Sequence, residues 1–283
     1  MTPLEQLYLF NPALDPALMA RNATYDSSKY IAELFTPAEE RIVEEGWNTP
    51  GGPAEQGWKS RPIGWLLDTS KGLIYGQTEY AKYFAVAKNK SIFSPTLRQQ
   101  LTASVGCAVL SADGYYLVQQ RAESLLAGRR LDSSAAGMAI IREGKLNFEF
   151  EMKEKLKREL HLTEEMLNGT LVPTGVHGAV DYLSSQATWR CEVAIPLDEL
   201  VAKTNPTFIE RMHAVHKDDL PEYLIKHYVP PGNEPEKSLI GDAVGVFLRS
   251  LDAGARNFTI ERLNSQGADI RLGVLRNGRF EEE

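Results

Sequence analysis

Between Thr102 and Leu160 the hydrophobic period changes from two to nearly four, and this change constrains the fold more than any other feature of the chain. Val105, Cys107 and Val109 alternate with small residues, Ser111-Ala112-Asp113-Gly114 has turn chemistry, and Tyr115–Gln120 predicts a return strand ending at Arg121. A loop carrying Arg129 and Arg130 leads to Ser133-Ser134-Ala135-Ala136-Gly137. A helix is then predicted from about Asn147 to Leu160, with Phe148, Met152, Leu156 and Leu160 as its apolar stripe. A hairpin, a glycine segment and an amphipathic helix in that order need a sheet for the helix to cover. The expected class is α+β, a mixed sheet flanked by helices.

The remaining segments are placed around that nucleus. Strands are expected at Leu171–Val176, Thr188–Ile195 and Ala243–Leu248, with helices at about Leu197–Lys203 and Pro221–His227 between the last two. Phe258–Leu263 and Ile270–Leu275 suggest a closing strand pair. Upstream, Thr36-Pro37-Ala38-Glu39-Glu40 is a helix start, with a Thr cap, Pro in the first turn and acids over the positive end of the dipole. That helix should stop near Gly46, and strands at Pro62–Asp68 and Leu73–Tyr75 precede a short helix over Thr78–Ala87. The expected organisation is an N-terminal extension over 1–100, a main domain over 101–252 and a C-terminal strand pair over 253–283.

Charge and composition narrow the partners. The chain has 283 residues and a formal net charge of −7, which argues against nucleic acid, because phosphate backbones need concentrated Lys and Arg. No apolar run is long enough to span a bilayer, and the N-terminus lacks the basic and apolar regions of a secretory signal, so cytoplasmic residence is expected. Cys107 and Cys191 lie in strand-like runs and are expected as buried thiols. His213 and His216 are three apart, but zinc needs three or four protein ligands and nothing evident supplies the others.

The predicted helix is densely charged. Glu149 and Lys153, Glu151 and Lys155, and Glu154 and Arg158 are i,i+4 pairs with the acid first, the pattern of a solvated, salt-laced face. The same helix carries Arg158-Glu159-Leu160.

With the hairpin and glycine segment before it, Arg158-Glu159-Leu160 resembles the box of the Nudix family, G-x5-E-x7-R-E-U-x-E-E-x-G-U, where U is a bulky aliphatic. Gly137 and Glu143 fit G-x5-E, with Arg-Glu-Leu seven residues later than in the family and an insertion at about Gly144–Phe150. Held to the helix instead, Gly144 takes the glycine position and Phe150 the glutamate's. Leu162 and Thr163 stand where the family has two acids. From about Arg61 to Leu251 the chain is also similar to the UDP-sugar diphosphatase subfamily, through Tyr75–Phe84 and Ile240–Leu248, the latter as a late strand.

The resemblance implies Mg²⁺ or Mn²⁺ and hydrolysis of a nucleoside diphosphate linked to another group, such as a nucleotide sugar. In that reading Glu159 is the principal metal ligand, Arg158 braces the loop by pairing with a carboxylate, and Glu143 or Glu164 assists. Arg121 and Gly137 would lie near the substrate, and Arg129 and Arg130 are either a second anion contact or a solvated loop. The alternative is a binding or regulatory module that kept the pocket and lost the chemistry. A homodimer stays open.

Overall fold

The computed structural model describes residues 7–10, 24–30, 34–48, 60–68, 74–94, 96–123, 128–167, 171–179, 183–229, 238–276 and 279–282. The strands are β1 (Leu7–Phe10), β2 (Thr24–Tyr30), β3 (Pro62–Asp68), β4 (Ile74–Glu79), β5 (Thr102–Leu110), β6 (Tyr115–Arg121), β7 (Leu131–Asp132), β8 (Ala135–Met138), β9 (Ile141–Arg142), β10 (Lys145–Leu146), β11 (Leu171–Ala179), β12 (Ser184–Glu192), β13 (Ile209–His216), β14 (Ile270–Arg276) and β15 (Arg279–Glu282). The helices are α1 (Pro37–Asn48), α2 (Tyr80–Lys88), α3 (Phe148–Leu160), α4 (Glu164–Leu167), α5 (Leu197–Ala202), α6 (Leu220–His227), α7 (Gly241–Ser250) and α8 (Ala253–Ser265). The class is α+β, as expected.

One mixed sheet runs in the order β15-β14-β1-β11-β12-β5-β3-β4-β2, with β8, β6, β7 and β13 branching from β5. Strands from both ends of the chain enter it. β3 pairs with β5 at Trp65↔Thr102, and β1 lies between β11 and β14. The extension and C-terminal pair are therefore parts of one sheet rather than units set beside a domain.

Alternation along the central strands divides the core between the two faces. Val105, Cys107 and Val109 of β5 join Ala187, Trp189 and Cys191 of β12 in the cluster that receives the α3 stripe. Ala108 of β5 and Ala179 of β11 belong instead to a cluster with Val244, Phe247 and Leu248 of α7 and Leu224 of α6. Both cysteines are buried thiols, as expected. Tyr75 of β4 ties the N-terminal strands to the α3 face: its ring centroid is 5.4 Å from that of Phe148, and its hydroxyl is 3.0 Å from Ser185 Oγ.

Two expected strands are helices. Ala243–Leu248 lies within α7, and Phe258–Leu263 within α8; the closing pair is β14 with β15. α7 has a continuous apolar run because nearly every residue in it is buried, so its helical period is hidden. It lies close to the sheet: a Cβ on Gly245 would fall 2.4 Å from the His177 ring. β13 was not expected, and it places His213 and His216, three apart on a strand, on opposite faces. They cannot form one metal pair. His213 Nε2 is 3.5 Å from Gln120 Oε1, and His216 Nδ1 is 3.5 Å from Asp218 Oδ2.

Among the described residues no helix is long and apolar enough to cross a membrane.

Candidate functional site

The site is built on α3, and its two ends determine which residues can take part. Asn147 caps the start, its side chain accepting from the Phe150 N–H at 3.0 Å, with Glu149 and Glu151 in the first turn. Phe148, Met152, Leu156 and Leu160 are all buried, as the spacing requires. The helix ends at His161, which is left-handed at φ 51°, and the N–H groups of His161 and Leu162 both donate to the Leu156 carbonyl. The reversal turns Leu162 into the core, where it is fully buried. Leu162 and Thr163 are thus beyond the helix and do not continue the Glu159 face. The loop from Lys203 to Phe208 covers the remaining carbonyls: the Asn205 N–H donates to Glu159 O at 2.8 Å, and its side chain donates to Arg158 O at 3.1 Å.

Glu151, Lys155 and Glu159 rise from one face of α3 at four-residue steps, and all three are buried. Glu151 Oε1 receives Arg142 Nε at 2.6 Å. Glu159 Oε1 receives Arg158 Nη2 at 2.6 Å, and its Oε2 accepts the Ala136 N–H at 3.3 Å. Arg158 also lies 4.4 Å over the Phe208 ring. The Lys155 amine rests against Gly137 of β8, where a Cβ would sit 2.9 Å from Nζ; among the described residues the amine makes no hydrogen bond. Burial pushes Lys155 down to about 8, Arg158 adds to the effect, and Glu159 and Glu151 oppose it. Burial raises the Glu159 carboxyl, with Arg158 and Lys155 restoring part of the shift.

The other expected site residues are dispersed. Among the described residues Arg158 pairs with its helix neighbour Glu159 and with no loop carboxylate. Glu143 is exposed at the tip of the β9–β10 hairpin, where it and Gly144 have φ of 49° and 69°, as a tight primed turn needs. That hairpin occupies the insertion in the box. Gly137 lies within strand β8 rather than in a loop and serves as the floor beneath Lys155. Glu164 is 82 % exposed on α4 and 3.9 Å from Lys153, whereas Glu159 is buried. Arg129 pairs with Glu123 at 2.8 Å, and Arg130 donates to Leu239 O at 3.0 Å.

Arg121 Nη1 reaches Asp132 Oδ2 at 2.5 Å, and Asp132 Oδ1 also accepts the Ser133 N–H at 2.7 Å. Asp132 is only 1 % exposed. Arg121→Met therefore leaves a buried carboxylate without its cation, and unfolding stability should fall by about 3 kcal/mol in urea titrations. Arg121→Met combined with Asp132→Leu should recover most of that loss; a single mutant as stable as wild type would show the pair to be ornamental.

A magnesium centre needs several oxygen ligands held open to the ion. The Glu159 oxygens are already engaged by Arg158 and Ala136, Leu162 is in the core, and Glu164 is exposed on α4 beside Lys153. These residues of α3 and α4 do not fit a magnesium centre. Among the described residues no group of three or more His, Cys, Asp or Glu is placed to hold a metal ion. Sequence reading missed Glu151, Lys155, Asp132, Asn205 and Phe208. Only the four-residue spacing of Glu151, Lys155 and Glu159 offered a signal, and the same spacing describes an exposed salt-laced face. Glu149–Lys153 is such an exposed pair, at 3.0 Å.

No family model matches this chain, and no curated protein does. Among solved structures it is similar to the crystal structure of DR0079 from Deinococcus radiodurans, with 16 % identity, a TM-score of 0.44, and coverage of 66 % of this chain and 99 % of that one. A likeness of this size assigns neither family nor activity.

Proposed function

We propose that the chain is a Nudix-like module that binds a phosphorylated small molecule of the nucleotide-sugar class and does not use a divalent metal on α3 to do so. The observation that carries this reading is the state of Glu159: its carboxylate is buried and holds hydrogen bonds from Arg158 and from the Ala136 N–H. A carboxylate in that state positions a strand and an arginine. Recruiting it to a hydrated Mg²⁺ would break two charge-assisted contacts in a buried setting. The ligand class rests on the resemblance of the hairpin, the Arg-Glu-Leu helix and the Tyr75–Phe84 segment to the UDP-sugar diphosphatases.

The test is a thermal-shift screen of UDP-glucose, ADP-ribose, UDP and UMP on the full chain, with Mg²⁺ and with EDTA. At a ligand concentration of 100 times Kd the expected stabilisation is about 2.7 kcal/mol, and it should survive EDTA. Products are followed in the same samples. Mg²⁺-dependent release of UMP or AMP that Glu159→Gln abolishes would replace the binding reading with the hydrolase reading. Stabilisation by none of the four would remove the nucleotide-sugar assignment.

A further inference from the structure

One branch of the sheet stops at β13. That strand pairs with β6 on one side, and among the described residues no strand pairs along its other side. Which backbone groups it turns outward follows from β6. The carbonyls of Tyr115 and Arg121 accept from the Ser111 and Arg129 N–H groups, both at 2.9 Å, and the Leu117 carbonyl accepts from Ser134 Oγ. These odd-numbered residues of β6 therefore face away from β13. Tyr116, Val118 and Gln120 face it, and their partners there are Val215, His213 and Arg211. The Lys217 N–H, which donates to Gly114 O at 2.9 Å, continues the same alternation. Met212, Ala214 and His216 are left with their backbone N–H and C=O groups directed outward.

The middle of this edge is unprotected. The bulge lies at its start, between Ile209 and Arg211, and from Arg211 to His216 the register with β6 is unbroken. No proline, lysine or acid lies between Met212 and His216, although these are the residues that commonly blunt an edge. Both faces of the strand are anchored: Met212 packs against the cluster that receives α3, and Val215 is buried on the α7 side. Glu210, Arg211 and Ala214 are exposed.

Charge selects the occupant and its register. A two-fold related copy would bring the outward residues of the two strands together in antiparallel pairs. Centred on His213, the pairing sets Met212 opposite Ala214 of the second copy and Glu210 opposite its His216, each twice over. Centred on Ala214, it sets Arg211 against Lys217 twice, and like charges directly opposite are unfavourable. Centred on Met212, it sets Glu210 against an alanine.

We infer that β13 is a self-association edge: two copies of the chain pair antiparallel through it about a two-fold axis at His213, and the sheet continues across both. The inference is independent of what the module binds, so the two can fail separately.

Sedimentation of the full chain over a micromolar concentration series should show a monomer–dimer equilibrium. Ala214→Pro removes an outward N–H and leaves the donors to β6 in place, so it should abolish the dimer. Glu210→Lys should weaken association about tenfold, since two opposed pairs change sign, and adding His216→Glu should restore it. Cross-linking reads the register. The two central residues of such a pairing have Cα atoms about 4.5 Å apart, within reach of a disulfide. Both native cysteines are buried, so oxidised His213→Cys should give a covalent dimer, and Met212→Cys and Ala214→Cys should not.

A chain that stays monomeric throughout the series overturns the inference and leaves the edge to a strand from an unlike protein. A dimer that persists in folded Ala214→Pro overturns it too, as does one that cross-links through Met212→Cys or Ala214→Cys instead of His213→Cys. If Ala214→Pro does not fold, the charge exchange and the cross-links decide: restored association and a His213→Cys dimer support the edge, and the lack of either counts against it.

Discussion

Leu162→Glu should cost at least about 4 kcal/mol and leave much of the protein unfolded at ambient temperature, whereas Thr163→Glu should change stability by less than about 0.5 kcal/mol. Leu162 follows the left-handed His161, closes the end of α3 and lies in the same core cluster as Leu156, Leu160 and Trp189. A carboxylate there loses the contacts of a buried leucine and gains no cation. Thr163 is exposed at the start of α4, where an acid is tolerated and favoured by the helix dipole. The pair is informative because a continuous helix would place both residues beside Glu159 and make both acids additions to one cluster. Urea unfolding of the two single mutants separates the cases. Equal, small effects would mean that the helix does not end as described.

On the opposite face of the sheet, acid should unfold the protein through His177. The ring is fully buried in β11 against Gly245, with Nε2 3.9 Å from Asp242 Oδ1. Burial pushes its pKa down to about 3, the Arg249 guanidinium adds to the effect, and the Asp242 backbone opposes it. Gln186, which pairs with His177 across β11 and β12, is uncharged. Above about pH 6.5 the ring is neutral in both folded and unfolded chains and contributes no pH dependence. Below that value the unfolded chain takes up a proton that the folded one refuses, so stability is lost as pH falls from about 6.5 towards 3, by about 1.4 kcal/mol per pH unit. At pH 4.5 the loss from this group should reach about 2 kcal/mol relative to pH 6.5, where the unfolded ring is already half protonated. Carboxylates contribute their own acid sensitivity, so the decisive quantity is the difference between wild type and His177→Gln. Urea midpoints at pH 6.5, 5.5 and 4.5 should diverge in slope, with the variant flatter. Parallel slopes would mean that the ring is protonated in the folded protein or reaches solvent.

The local sequence determined those elements in which side-chain period, turn chemistry and burial all agree. The β5–β6 hairpin turns at Ser111–Gly114, and the Phe148–Leu160 stripe faces the sheet, because alternation and four-residue spacing each allow one arrangement there. Trp65, Trp189 and the two cysteines are in the core for the same reason. α7 escaped because Ala243–Leu248 is apolar on every side, and a helix packed that closely has no polar face to reveal its period. β13 escaped for the opposite reason: Ile209–His216 has one mostly exposed side and few apolar residues to mark the other.

The candidate site lay further from the sequence than the fold did. Arg158 and Glu159 could be picked out as chemistry-bearing residues, but their partners could not. Glu149 with Lys153 and Glu151 with Lys155 are the same i,i+4 pattern, one residue type for another; the first pair is exposed, and the second is buried. The difference lies in what covers the helix: β8 brings the Gly137 backbone over Lys155, and β9 brings Arg142 to Glu151. Leu162 likewise changed from a missing acid to a core residue because His161 reversed the chain. Sequence sets the charges and their spacing along a helix. Desolvation sets what those charges do, and only packed neighbours from distant segments decide which of them leave water.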